Sequence, residues 1–330
     1  MGQGVRLREL SVGAVTAGHY SRAVAEFEAW VRSLGIDVAP GNAADAWLER
    51  FLDLLASHGE HAWVGRNLVF GYIWRYALPP GSPLTLPAAK QALRGWLRVA
   101  PGGSRDPIPW LVVAGMAHWL VNTASSEALL AATAFVVSAD MYLRPTECLR
   151  IARQHIFAPV KRSRYADWSI VIFPFDEGIP SKTYTYDHTV TAGTPAAGRG
   201  FVRDVIEVLF RTTAAGRVFA GLELQRYEFW VREASRAVGV QSLRPSPHGA
   251  RHCGPSEDAY LAVRSLDEIK HRGRWAAPQS VERYSKFGAL LRQLNKLSVV
   301  QRRDFERQNR ELPALLLRAL RARSRASKAP

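Results

Sequence analysis

Cysteine is nearly absent. Cys148 and Cys253 are the only two in 330 residues and lie far apart, so a disulfide framework is excluded, and with no partners at metal-ligand spacing a zinc site is excluded too. His252, Cys253 and His271 form no known ligand set, and no metal is expected. Long apolar runs are also missing. The two most apolar stretches, residues 110–121 and 128–139, are each shorter than the ~20 residues of a membrane span, and polar residues 122–127 separate them. The first ten residues, MGQGVRLREL, lack an apolar signal core, and Arg6 stands where a myristoylation signal has Ser or Thr. The expectation is an intracellular protein with no membrane partner. Acidic residues are scarce: 29 Asp and Glu face 44 Lys and Arg, a formal charge of +15, which points to a partner dense in phosphate. With 47% apolar and 22% charged residues, the chain has the composition of a folded protein, and its length suggests about two domains.

What is present divides at a breaker-rich stretch. Residues 20–34, 61–76 and 87–97, and a segment starting at Asn42 or Asp45 and ending at His58-Gly59, carry apolar residues at helical spacing, as in Val24, Phe27, Trp30 and Val31. They predict a compact helical unit over residues 1–104. Pro101-Gly102-Gly103-Ser104-Arg105-Asp106-Pro107 defeats both regular structures. Beyond it, apolar helices are expected near 110–120 and 127–142. Residues 167–173 and 183–191 are rich in β-branched and aromatic residues and are expected to form a hairpin joined by 174–182. Helices return over 200–210 and 225–238 and around Asp258, Leu266 and Ser280; Ser265-Leu266-Asp267-Glu268 has the form of a capping box. The fold class expected is mainly α, with one small β-sheet in a second domain over 105–300. Residues 301–330 read as a basic tail in which 312–320 could form a short helix with an apolar face.

Three separated segments carry the chemistry: Tyr142-Leu143-Arg144-Pro145-Thr146-Glu147, then Pro247-His248-Gly249-Ala250-Arg251-His252, then Trp275 nine residues before Tyr284. The hairpin between the first two carries Lys182. This order resembles the tyrosine recombinase (phage integrase) superfamily, and Arg272-Gly273-Arg274-Trp275 is worded most like Crypton-like eukaryotic mobile-element recombinases. The resemblance covers about residues 107–297, and the helical unit before it resembles the core-binding domain of those enzymes. Each element alone occurs by chance in many proteins; all of them in order are specific.

Physical reasons accompany each residue. Breaking a phosphodiester without metal requires cations against the nonbridging oxygens, and guanidinium bonds two oxygens in one plane. Arg144 and Arg251 are the candidates, with Pro145 at a first helical position and Glu147 one turn on, able to orient an arginine. Tyr284 is the candidate nucleophile. A free phenol has a pKa near ~10 and needs a base or positive surroundings to react; His248 is the candidate base. Lys182 is the candidate general acid for the leaving 5′-oxygen, with Lys161 as the other lysine near a strand. Trp275 occupies a position where the family has His or Trp, and its indole N–H can donate to a phosphate oxygen. Arg272 and Arg274 are expected either at neighbouring phosphates or in solvent.

The resemblance implies a site-specific recombinase that cuts and rejoins double-stranded DNA through a 3′-phosphotyrosine, without metal, ATP or nucleotide cofactor. It further implies a homotetramer on two DNA sites, located with DNA and hence nuclear in a eukaryote. Two other readings stay open. A type IB topoisomerase uses similar residues but prefers His where this chain has Trp275, and a domesticated element would bind DNA without cutting it.

Overall fold

The computed structural model describes residues 11–76, 84–101, 106–164, 166–178, 181, 185–282, 284 and 287–326. The chain forms two compact units, Met1–Ser104 and Arg105–Pro330. In the first, four helices follow one another: α1 (Ala14–Ser33), α2 (Asp45–Ser57), α3 (Ala62–Tyr76) and α4 (Pro87–Val99). Their apolar stripes meet in a core of Val24, Phe27, Leu48, Leu52, Leu68, Tyr72, Leu93 and Trp96. Pro87 sits at the start of α4, where its missing N–H is no loss. The next two amides, Ala88 and Ala89, donate to the Asp45 carboxylate at 2.9 Å each, so one acidic side chain in the first turn of α2 caps α4. The first helix starts six residues before the Tyr20 expected from periodicity, because Ala14 to His19 are compatible with helix without marking a buried stripe.

The second unit is built around two helices that are apolar on nearly every side, α5 (Trp110–Val121) and α6 (Ser126–Met141). Ser125 caps α6 by accepting from the Ala128 amide at 3.3 Å. After the five-residue α7 (Pro145–Leu149) comes an antiparallel sheet of β1 (Ile156–Phe157), β2 (Ser169–Ile172) and β3 (His188–Thr191) in that order. Ile170 faces Val190 across the hairpin. The two-residue β1 was not foreseen, since two residues carry no alternation to read. Then follow α8 (Val202–Thr212), α9 (Leu224–Ala237), α10 (Pro247–Tyr260), α11 (Leu266–Gly273), α12 (Gln279–Glu282), α13 (Phe287–Asn295) and α14 (Val299–Ala326). The reciprocal cap of α11 is present: the Ser265 amide donates to Glu268 at 2.6 Å and the Glu268 amide to the Ser265 hydroxyl at 3.2 Å. No helix among the described residues is long and apolar enough to cross a membrane.

One expectation is corrected here. Residues 301–326 are not a loose tail with one short helix: they belong to the 28-residue α14. Phe305, Leu312, Leu316 and Leu320, spaced along one helical face, are buried in the main core of the second unit, and arginines on the other faces supply the basic character. The helix expected around Ser280 is α12, and Tyr284 stands in a turn, its amide donating to the Val281 carbonyl at 2.8 Å.

The seat of α14 depends on Gly115 in α5. A Cβ added there would lie 2.4 Å from Phe305, far inside contact distance. Gly115→Ala should lower stability by about 1–3 kcal/mol through overpacking. Gly95→Ala, where the methyl meets nothing within 4 Å, should leave it unchanged or slightly higher. Urea midpoints of the full chain measure both.

Candidate active site

The site begins where α6 ends. Tyr142 caps that helix in the left-handed region, with φ of 55°, and turns the chain so that Arg144 becomes the residue before α7 and Pro145 its first residue. Glu147 then lies under its own helix start, accepting from the Arg144 amide at 2.8 Å and from the Arg144 guanidinium. Its carboxylate is 1% exposed. Two more arginines reach it from elsewhere in the chain. Arg251, on α10, donates to Glu147 at 3.2 Å, to the Tyr142 carbonyl at 2.7 Å and to the Gly273 carbonyl at 2.6 Å. Arg274, capping α11, donates to Glu147 at 2.6 Å and to the same Tyr142 carbonyl at 3.1 Å.

One carboxylate therefore holds three guanidiniums, and the group carries an excess of two positive charges. Burial pushes the Glu147 carboxyl up, but Arg274, Arg251 and Arg144 together hold it below the usual carboxylate range. The reverse holds for the cations. Burial drives the Arg251 guanidinium well down from its ordinary value, Glu147 opposes this, and Arg274 and Arg144 add to it. Of the three, Arg144 keeps the most solvent-facing surface, at 27%. Such a cluster has positive charge to spare for an anion.

Beside it runs a ladder of rings. Trp275 lies 4.7 Å from the Tyr284 ring and 6.3 Å from that of Tyr142, and the Arg251 guanidinium stands 5.1 Å over Trp275. On from Tyr284, His252 is 5.5 Å away, and His248 is 5.6 Å beyond His252. Tyr284 is within electrostatic reach of Arg251. It is also 4% exposed, in a small cluster with Tyr142, Ile269 and Val281. Gly273 makes room for the tryptophan, since a Cβ there would fall 1.8 Å from the Trp275 ring.

The structure thus brings together Arg144, Glu147, Arg251, Trp275 and Tyr284, with His248 reaching them through His252. Lys182 lies outside the described residues. Among the described residues nearest to it in sequence, Ser181 meets Thr185 at 2.7 Å, and Thr185 meets His188 at 2.6 Å. His188, on β3, was not anticipated; burial first and Arg274 next lower its pKa, while Glu147 opposes them, which places it in the field of the cluster. Lys161, the other lysine considered, is exposed in the turn before β2.

Arg272 and Arg274 need correction, because neither faces solvent or an open groove. Their side chains are 7% and 3% exposed. Arg274 is bonded to Glu147 as above, and Arg272 donates to the Asp140 carbonyl at 3.0 Å and its carboxylate at 3.3 Å. Both positions were read from charge alone, and charge does not reveal a buried acceptor.

A second polar layer escaped the sequence reading entirely. Asp140 and Asp258 are fully buried and joined by Arg199, itself 0% exposed, which donates to Asp140 at 3.1 Å and also to Asp258. Asp258 further accepts from Arg264 and from the Tyr142 hydroxyl, while Asp140 accepts from Thr194 at 2.6 Å and the Gly193 amide at 2.9 Å. One signal was available. Asp140 is the single charged residue among the fourteen buried positions of α6, and a carboxylate there requires cations.

No family model and no curated protein matches this chain in sequence. Among solved structures it is similar to the XerH site-specific recombinase bound to a palindromic difH substrate, in a post-cleavage complex. The TM-score is 0.51 at 11% identity, over 76% of this chain and 71% of that one. A pre-cleavage complex of XerH with difH gives 0.49 at 12%, over 73% and 66%. The first likeness shows a shared fold, mainly helical with a small antiparallel sheet.

Glu147→Gln leaves three buried guanidiniums without their anion and should destabilise the protein by about 3–5 kcal/mol. Because the folded-state pKa of Glu147 lies below its unfolded value of ~4.3, this stabilisation is fully present above that pH and is lost as pH falls through the folded pKa. Urea unfolding from pH 7 to pH 3 should show the gap between wild type and variant closing at the acid end.

Proposed function

We propose that this chain is a DNA strand-exchange enzyme that works through a 3′-phosphotyrosine on Tyr284. The observation that carries the reading is the cluster of Arg144, Arg251 and Glu147, in which the Arg251 guanidinium stands over the Trp275 ring that lies against Tyr284, with His252 beside the same phenol. A tetrahedral phosphate with one negative charge suits a cluster with two positive charges in excess, and planar guanidiniums bond its nonbridging oxygens better as charge grows in the transition state.

In this reading the Tyr284 oxygen attacks phosphorus and its proton passes to His248, with His252 between the two rings. The bond from phosphorus to the 5′-oxygen breaks, and Lys182 supplies the proton that this oxygen gains. Arg144 and Arg251 hold the phosphate, Trp275 donates its indole N–H and packs under the site, and Glu147 orients the arginines. Attack by a 5′-hydroxyl from another duplex reverses the step and joins the new strands. The bond energy is conserved in the adduct, so no ATP is required. The first unit serves as the DNA-clamping domain, and the working assembly is a homotetramer on two DNA sites. The Arg272-to-Trp275 wording resembles that of Crypton-like mobile-element recombinases, which supports nuclear localisation in a eukaryotic host. Trp275 in place of His ranks a type IB topoisomerase lower.

One observation favours a second reading. Tyr284 is 4% exposed, and a nucleophile covered in this way reaches phosphorus only after the turn that carries it moves. A chain that binds DNA and never makes that movement would be a binding protein with an intact set of residues.

The readings separate on a negatively supercoiled plasmid carrying the repeats that flank the gene. After quenching in denaturant, wild type should show protein covalently attached to DNA, Tyr284→Phe none, and Arg144→Ala about 10²–10³-fold less. Binding with no adduct on any DNA supports the binding protein; a ladder of relaxed topoisomers without joined products supports the topoisomerase.

A further inference from the structure

Tyr142 was singled out in the sequence only as the residue two before Arg144, and nothing in the chemistry above uses it. Its place in the structure is unusual in three respects. It is a bulky aromatic with a φ of 55°, a conformation that L side chains with a Cβ adopt at a cost and that persists where the surroundings enforce it. Its carbonyl oxygen accepts from Arg251 at 2.7 Å and from Arg274 at 3.1 Å. Its side chain is fully buried, with the hydroxyl donating to Asp258 and the Arg272 guanidinium standing 5.3 Å over the ring.

These features have one consequence in common. A carboxylate alone fixes a guanidinium poorly when three compete for two oxygens. Glu147 Oε2 accepts from both Arg251 and Arg274, and the second acceptor those two arginines share is the Tyr142 carbonyl. The left-handed turn points that carbonyl back towards α10 and α11, and the phenol locks the turn from below onto the Asp258 layer. Close approach is part of the fit: a Cβ on Gly254 of α10 would fall 2.1 Å from the Ala139 carbonyl and 2.4 Å from the Tyr142 ring. Burial and the nearby Asp258 charge push the Tyr142 phenol far above its ordinary pKa, so at neutral pH it remains a donor.

We propose that Tyr142 is a positioning residue: its carbonyl, held by the left-handed turn and the phenol–Asp258 bond, aims Arg251 and Arg274, and the Asp140–Arg199–Asp258 layer beneath acts on the phosphate site through it. Insofar as this concerns catalysis it rests on the reading of the site as a phosphoryl-transfer centre; the placement of the arginines does not.

The test therefore has two readouts on the full-length protein. The first is side-chain NMR of ¹⁵N-arginine, in which wild-type Arg251 and Arg274, assigned by single substitution, should show slowly exchanging Nε–H signals. The second compares the single-turnover rate of adduct formation on the plasmid at saturating protein with the Kd for a labelled duplex of the flanking repeats. Tyr142→Phe removes one oxygen and keeps the ring. It should broaden or deprotect the two arginine signals and slow adduct formation about ten- to a hundredfold, as expected for misplaced groups, with the duplex Kd within about twofold of wild type. Arg272→Lys, which loosens the opposite face of the ring, should give the same pattern and stands in if Tyr142→Phe does not fold. A folded variant with lower thermal stability but wild-type arginine signals and adduct rate would overturn the proposal. If wild type forms no adduct, the functional reading fails, and the arginine signals alone decide the positioning role.

Discussion

A carboxylate removed from water has to be matched by cations and donors or else take up a proton, and Glu147 is matched by three arginines drawn from three places in the chain. That requirement organises the second unit. Arg144 reaches the carboxylate from the start of α7, Arg251 from α10 and Arg274 from the end of α11, so the three segments meet only if the core behind them is formed. The carboxylate in turn keeps the cations together. Three guanidiniums drawn this close would repel one another and separate; with Glu147 among them they remain together. The site is an ion cluster with two positive charges in excess.

The same logic, closed instead of open, governs the layer below. Asp140 and Asp258 are bridged by Arg199 with no exposure to solvent, and Arg264 and Arg272 complete their acceptors. Such buried pairs add little net stability over an apolar core, yet losing one partner is severe. Their role is one of geometry. They define where α6, α10 and α11 lie relative to one another to within a hydrogen bond, which apolar packing alone does less strictly. The strained turn at Tyr142 is the part that both layers share.

Legibility in the sequence followed from the kind of signal each feature leaves. Helices with a buried stripe, such as α2 through Leu48, Phe51 and Leu52, and all-apolar helices such as α5 announce themselves by periodicity or by its absence. Arg144, Arg251 and Tyr284 were found because a resemblance supplied the order of separated residues; no local pattern marks them. The features that were misread depend on acceptors far away in the chain. Arg272 and Arg274 look like any basic cluster until the carboxylates of Asp140 and Glu147, more than a hundred residues earlier, are placed beside them. The extent of α14 was hidden for a related reason: its apolar residues recur at Phe305, Leu312, Leu316 and Leu320 amid many arginines, and average charge masks a stripe that thin. The turn at Tyr284 is invisible to periodicity, because Val281 and Tyr284 keep helical spacing across it.

The electrostatics of the open cluster bear on when the phenol gives up its proton. In the free chain two positive charges are in excess around Glu147, and a neighbouring phenolate would be favoured by them. A phosphodiester entering the site brings one negative charge and takes the nearest guanidinium hydrogens for its own oxygens, so roughly half of that excess is withdrawn as the substrate binds. The arginines then favour a neighbouring anion less with substrate bound than without it. On the proposed reading, deprotonation cannot be completed in advance by the arginines and must accompany attack, with a base taking the proton as the bond to phosphorus forms. On that reading the arginines alone do not suffice, and a base, His248 in the proposal, has to act at the moment of attack.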